Sequence, residues 1–405
     1  MPETMQPKPE RDHRVDFFRG IALAMIFVNH VPGNVWESFT TRNFGFSDSA
    51  ELFVFLAGYA STFAYAKPFL AGHRLVATLK AWRRAGVLYL VHATLTLFAV
   101  GLFAWAAMTF GNGEFVRFND MQALMDRPLD TLFGLAVMAH QLKFVNILPM
   151  YVAMLAMLPA LLWAVERFGR RGMLLASALL WALAANFWLN IPNHPYDGGW
   201  FFDPFAWQFI FAIGLYCGLL RREGRQAVPY SRRLYRAALG YLALSLLFID
   251  FDLFGKEKLI GLPDMLVGFD KTYVSLPRLV HLLALVYVFA YAPAASVFSR
   301  VSRDNPLTRL GRHSLPVFAT GTALALVIQV VMFQEEMHVL RDTALIGGGL
   351  LIQFALAVYL DWWGKAQRLD LSAAAAPRQA RPVRQSGGAM PALARAGAVV
   401  SPAKS

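Results

Sequence analysis

Apolar residues along this chain come in long blocks separated by short polar stretches. Ten blocks are long enough to cross a bilayer as helices, at residues 15–33, 48–66, 85–109, 145–165, 171–189, 205–220, 234–254, 277–298, 311–333 and 342–363. The pattern predicts an all-α polytopic membrane protein with ten transmembrane helices. Two intervening loops are long, 110–144 and 255–276. The first contains MQALMDRPLDTLFGLAVM, whose amphipathic pattern predicts interfacial or re-entrant helices. No internal repeat stands out, which weakens an inverted-repeat transporter reading.

Loop charge gives the blocks a direction. With the N-terminus in the cytoplasm, the inner segments are 1–14, 67–84, 166–170, 221–233, 299–310 and the tail from 364, and they hold most of the 38 lysines and arginines. Each consecutive loop pair alternates as the positive-inside rule requires, so both termini are expected to be cytoplasmic. Three regions follow: a cytoplasmic segment 1–13, a membrane domain 14–363 and a disordered basic cytoplasmic tail 364–405. The tail is rich in Ala, Pro, Arg, Gly and Ser and has too little to bury. The N-terminus does not read as a cleavable signal, because it is polar for about a dozen residues and no small-residue cleavage site follows.

Composition agrees with the blocks. The 405 residues are 57% hydrophobic and 16% charged, with mean hydropathy +0.44. A soluble globular protein carries nearer a quarter charged residues. The net charge of +12 does not indicate nucleic acid, since the basic residues sit in short loops between apolar blocks. A single cysteine, Cys217, excludes a disulfide framework, and the histidines lack the close helical spacing of a zinc site. No metal and no permanently bound cofactor is expected. The triple glycine 347–349 lies within the last apolar block, where close helix packing explains it.

The first block, RVDFFRGIALAMIFVNHVPG, carries more polar groups than a span needs: Arg14, Asp16, Arg19, Asn29 and His30. Such groups within a span are functional candidates by default. Arg19 and His30 fall within roughly 20° of each other around a helix and roughly 16 Å apart along it. Converting the other blocks to depth places Asp48, Glu51, Asn146, Trp207, Gln208, Arg278 and His281 near His30, at the outer level. Arg14, Arg19, Arg312 and His313 lie at the inner level. A histidine beside carboxylates can serve as general base toward a hydroxyl, and arginines suit phosphates. The stripe therefore suggests a phosphate-bearing donor entering from the cytosol and a hydroxyl acceptor outside. The flexible arm of coenzyme A is comparable to the Arg19-to-His30 gap and can carry an acyl thioester along it. His30, Glu51 and Asp48 are the candidate catalytic residues. Arg19, Arg14, Arg312 and His313 are the candidate donor contacts. Asn146, Trp207, Gln208, Arg278 and His281 are the candidate acceptor contacts. Each has a plain reading beside this one. Arg19 can snorkel to the headgroups or pair with Asp16 at i−3, Asp48 can simply start a helix, and tryptophans crowd interfaces. His140 and His194 read as loop histidines.

At these residues the chain resembles a known family. An Arg, ten residues, then a His in the first helix resembles the membrane acyltransferase-3 superfamily. More closely, RDHRVDFFRGIALAMIFVNHVPGN, GFSDSAELFVFLAGYASTFAYA, VNILPMYVAMLAMLPALL, WFFDPFAWQFIFAIG, RLVHLLALVY and LGRHSLPVF resemble the OpgC family, over roughly residues 10–363. The resemblance implies ten spanning helices and transfer of an acyl group, succinyl in the named family, from acyl-CoA to periplasmic glucans in a bacterial inner membrane. It implies His30 as the catalytic base and Arg19 on the donor path. Two positions depart from the pattern: Asn146 stands where Asp is usual before ILP, and Asp203 where Asn is usual before PFAWQ. An exchanged charge and an altered acceptor are both open readings. Direct transfer and an acyl-His30 intermediate are both open too, as is homo-oligomerisation. The alternatives from other classes are a transporter of an acyl donor or polysaccharide and an acyltransferase acting on a lipid-linked acceptor.

Overall fold

The computed structural model describes residues 12–333 and 335–375. The described residues are helical, with one isolated bridge between Pro192 and Gly199 and no strand. The long elements are α1 His13–Asn29, α2 Ser49–Ser61, α3 Arg74–Phe110, α4 Ile147–Phe187, α5 Pro204–Arg222, α6 Arg232–Asp250, α7 Leu276–Ala290, α8 Pro306–Arg312, α9 Ser314–Val331 and α10 Val339–Ala375. Two compact units divide at Asp361 and Trp362, within α10.

All ten apolar blocks fall on helix, and the helices differ from the blocks at their ends for identifiable reasons. α2 runs on through a π turn, Thr62–Ala66, into Lys67–Leu70. α3 starts inside the basic segment expected as the inner loop 67–84, because Arg74 onward is a run of good helix formers. The expected loop 166–170 is a kink instead: α4 breaks at Gly169, whose φ of 73° and ψ of 172° suit only glycine. α7 stops at Ala290, just before Pro293, so residues 291–298 of that block are turns. α10 continues past Trp363 to Ala375, into the tail expected to be disordered. No glycine or proline interrupts the sequence between Gly364 and Pro377, which favours helix. Residues 376–405 of that tail, and 1–11 of the N-terminal segment, lie outside the described residues. The amphipathic outer stretch forms two short helices, Gln122–Asp126 and Pro128–Ala136.

Among the described residues, five helices are long and apolar enough to cross a membrane: α3, α4, α5, α9 and α10 through Leu369. Their outward faces are apolar as well. On α3 the buried stripe Ala77, Ala81, Ala85, Leu88, His92, Leu95, Ala99, Phe103 and Ala106 recurs every three or four residues, while Leu90, Leu97, Met108 and Phe110 are exposed. A helix apolar on both faces fits lipid on one side and protein on the other. The chain is a membrane protein.

Within the first unit, α1 packs on α8 and α2, α2 on α5, α5 on α4, α4 on α3, and α9 on α1 and α3. Glycines set the closest approaches. A Cβ at Gly58 would strike the Phe211 carbonyl, one at Gly214 the Phe55 carbonyl, and one at Gly218 would lie 2.8 Å from the Tyr59 carbonyl. Gly214 and Gly218 are one turn apart on α5, so α2 lies along a smooth groove of it. Of the triple glycine, only Gly349 meets a neighbour, the ring of Phe27. Phe27 belongs to a small apolar cluster of Val28, Val31, Ala325, Ile328, Met332 and Ile346 that backs the end of α1.

Candidate active site

His30 is the residue on which α1 ends. It caps the helix C-terminus, its backbone N–H bonding to the Ile26 carbonyl at 2.9 Å, and Asn34 closes the turn from its side-chain amide to the Val28 carbonyl at 3.0 Å. Gln329 of α9 donates to the His30 carbonyl at 2.5 Å. The imidazole stands edge-on to Phe144 at 5.5 Å and to Phe318 at 6.4 Å. Its Nδ1 is buried without a hydrogen-bond partner, and His30 lines the adjoining chamber. That outer chamber has a volume of about 750 Å³. It is lined by Asn29, His30, Asp48, Asn146, Lys271 and Arg278, among others, so five residues from four separate sequence blocks join His30 there.

The start of α2 supplies the acidic wall. Asp48 is the N-cap, accepting from the Ala50 N–H at 2.8 Å, and Glu51 closes a capping box by accepting from the Asp48 N–H at 3.0 Å. Glu51 is fully buried and does not reach His30. It takes a two-pronged contact from the Arg278 guanidinium, whose Nε donates at 2.8 Å and whose Nη2 forms a second, shorter bond. Asp48 pairs with Lys271, and Arg278 Nη2 lies 3.8 Å from it. The expected His30–Glu51 partnership is thus replaced by a closed cluster of two carboxylates and two cations. The physical reason is charge: a fully buried carboxylate needs a cation, and Arg278 is within reach while a neutral imidazole is a weaker partner.

Other acceptor candidates divide. Asn146 lines the chamber, and as the residue before α4 it makes no side-chain cap bond. Trp207, Gln208 and His281 are buried and do not line it. The indole of Trp207 donates to the Lys271 carbonyl at 3.0 Å, so it holds the lysine loop rather than presenting a face for sugar. Trp181 does the same to the Val274 carbonyl at 3.0 Å, where Val274 has a φ of 53°, an uncommon conformation for a β-branched residue. Gln208 is committed to Ser177 and the Phe205 carbonyl. His281 Nδ1 bonds the Ser47 hydroxyl at 2.7 Å and ties the segment before α2 to α7. Asp203, the second departure from the family pattern, is the N-cap of α5, accepting from Phe205 and Ala206 at 3.1 and 3.0 Å.

Lys271 is the residue that sequence reasoning missed. Its signal was available: a cation in an outer loop, where the positive-inside pattern thins them, close before Arg278. His140 was set aside as a loop histidine, yet it also lines the chamber, with Nε2 3.2 Å from the Asp120 carbonyl. The rim is tied together by the Tyr196 hydroxyl donating to Asp126 at 2.9 Å and by Lys143 with Asp120 at 3.1 Å. The Gln122 amide and then the Tyr196 hydroxyl hold the Asp126 carboxyl below its usual range.

Further back along α1, Arg19 lines a smaller chamber of about 180 Å³ with Tyr65, Arg84, Tyr151, Ser314 and Phe318. It donates to the Leu56 carbonyl at 3.2 Å and lies 3.7 Å from Asp16. Arg14 is not in that chamber. It binds the Phe298 carbonyl at 3.0 Å and the Phe289 carbonyl, which fastens α1 to the end of α7. Arg312 and His313 are not there either. Both are held by Asp361, Arg312 through two bonds of 2.9 and 3.0 Å and His313 through one of 2.9 Å. An acidic residue within α10, Asp361, is what the arginine and histidine face.

A family model described as OpgC protein matches residues 11–365. The chain belongs to the OpgC family. No curated protein and no solved structure gives a significant match. OpgC membership points to a glucan-modifying function of acyltransferase type, and the match takes in both chambers. Seen as an OpgC protein, the chain has at the larger chamber the imidazole of His30, amide groups of Asn29 and Asn146, and a neutralised charge cluster beside them.

Proposed function

We propose that this OpgC-family protein is a bacterial inner-membrane O-acyltransferase. It moves an acyl group, succinyl by family, from cytoplasmic acyl-CoA to a hydroxyl of a periplasmic glucan. Placement in the membrane acyltransferase-3 superfamily, ten spans and cytoplasmic termini belong to the same proposal. The observation that carries it is the pair of chambers along α1, with Arg19 in one and His30 in the other.

Transfer then runs as follows. The glucan hydroxyl gives its proton to His30 Nε2 while its oxygen bonds to the thioester carbonyl carbon. The C–S bond breaks, and the imidazolium returns the proton to the leaving thiolate. Asn146 and Asn29 are the amides placed to donate to the tetrahedral oxyanion. Asp48 and Glu51, with Lys271 and Arg278, shape the wall instead of activating His30. Arg19 and Arg84 meet the donor at the inner end. Arg14, Arg312 and His313 build the scaffold around that end.

The test is transfer in sealed vesicles, with labelled succinyl-CoA on the Arg19 side and oligoglucan on the His30 side. Wild type should acylate the glucan, and His30→Ala should lose the activity by roughly 10²–10⁴-fold, the usual scale of a general base, while keeping its thermal midpoint. Full transfer by His30→Ala overturns the role of His30. Unmodified donor or glucan crossing the vesicle supports the transporter reading, which two chambers along one helix also accommodate. Label in the lipid fraction supports a lipid-linked acceptor.

A further inference from the structure

The two chambers are separated by very little. Ile147, the first residue of α4, lines both of them. Phe318, one turn into α9, lines the inner chamber, and its ring stands 6.4 Å from the imidazole that lines the outer one. Both side chains are buried, at 6% and 4% exposure. Behind Phe318, on the same face and one turn further along α9, the Thr322 hydroxyl is buried without a partner. The unpartnered Nδ1 of His30 is a second unsatisfied polar atom next to the ring. An apolar layer bordered by unsatisfied polar atoms is an unusual place to keep a packed core.

We infer that Phe318 and Ile147 form a wall one side chain thick between the chambers, and that this wall selects the size of acyl group that reaches His30. The inference rests on the proposed function for its second half and on geometry alone for its first. A Phe ring can swing about χ1 and χ2, and an Ile side chain has much less freedom, since β-branching stiffens χ1. The wall therefore has a movable part and a fixed part. A short acyl chain passes when the ring turns aside, and a long or branched one meets Ile147. The ring contact to His30 ties the two events together, because turning Phe318 also changes what the catalytic imidazole leans on.

The experiment uses the full-length protein in vesicles, with Cys217→Ser removing the native thiol and Ser49→Cys placing a reporter on the outer chamber. A membrane-impermeant methanethiosulfonate is added from either side. From the His30 side the reporter should label readily. From the Arg19 side labelling should be slow, and Phe318→Ala should raise its rate on the order of tenfold or more, equivalent to about 1.4 kcal/mol of barrier. Phe318→Leu should give a smaller rise and serves as the milder variant if alanine impairs folding. Val327→Ala, on the exposed side of the same helix, should leave the rate unchanged. Equal labelling of the unmodified wall from both sides, or no change with either Phe318 variant, overturns the wall. Acyl-CoA donors of increasing length then test selection: Phe318→Ala should transfer longer groups than wild type. An unchanged length profile with raised labelling overturns selection. If labelling behaves as expected and no variant transfers any acyl group, the wall stands and the acyltransferase reading falls.

Discussion

At the level of single residues, the cluster of Glu51, Arg278, Asp48 and Lys271 decides what the outer site is made of. Glu51 is fully buried and its two oxygens are both used, one by Arg278 and one by the Asp48 N–H. Replacing it with Gln removes the carboxylate charge nearest Arg278 and leaves Asp48, at 3.8 Å, as the nearest ion-pair partner. Breaking a buried pair from one side typically costs about 3–5 kcal/mol. Glu51→Gln should therefore lower the thermal midpoint in detergent sharply, and the double variant Glu51→Gln/Arg278→Gln should recover part of the loss. Loss of activity with an unchanged midpoint would instead restore Glu51 as a partner of His30. Trp207→Phe makes a second case. It keeps the buried ring and removes the shorter of the two N–H bonds to the Lys271 carbonyl, leaving the 3.4 Å bond from the Val274 N–H, at a cost of about 0.5–1.5 kcal/mol. Acyl transfer should fall with modest loss of stability, and an activity equal to wild type would show that the lysine loop needs no such support. The sequence put Asp48, Glu51, Arg278 and His30 at one depth, and that much was legible from helix rise and loop charge. It could not choose the pairs, because Glu51 and Arg278 are 227 residues apart and meet only through the docking of α2 and α7. Trp207 failed for a related reason: depth says nothing about which way an indole N–H points.

At the level of elements, the placement of α2 depends on its contact with α5. The sequence GLYCG at 214–218 has small residues four apart, a pattern that lets helix backbones approach closely. The facing residue Gly58 completes the contact from α2. A large side chain here must push two backbones apart, so the cost should exceed the about 1–3 kcal/mol typical of ordinary overpacking. Gly218→Leu should lower the yield of folded, monodisperse protein and weaken the outer charge cluster that α2 carries. Gly240→Ala on α6 is the matching control, since nothing lies within 4 Å of its added Cβ. Removing a mid-helix glycine there should be neutral or stabilising by about 1 kcal/mol. If both variants behave alike, the close approach of α2 and α5 is not a constraint. The helices themselves were readable as apolar blocks. Their ends were harder, because α3 extends into a charged segment where propensity outweighs hydropathy, and α10 does the same past Gly364.

At the level of the whole membrane domain, hydropathy alone is ambiguous, because among the described residues five helices meet the length and apolarity needed to span. If those five were the only crossings, the loops on either side of α4 would lie on opposite sides of the membrane. Yet those loops touch: Tyr196 bonds Asp126, and the His194 N–H bonds the Ala139 carbonyl at 3.3 Å. In the proposed ten-span arrangement, the break at Gly169 is where α4 doubles back to deliver both of its ends to one level. The opposite level has its own ties, Arg74 with Glu166 at 2.5 Å and Arg170 with Glu223. Loops thus meet loops of the same charge class, as positive-inside sorting requires of a chain that crosses twice between 144 and 204. Single cysteines in a Cys217→Ser background separate the two arrangements. Glu114→Cys and Asp197→Cys should both label from the side opposite Arg225→Cys when an impermeant thiol reagent is applied to oriented vesicles. Labelling of Glu114→Cys and Asp197→Cys from opposite sides would make α4 a single crossing. It would also move the two ends of α1 out of line with donor and acceptor, since the chamber around His30 is roofed by both of those loops.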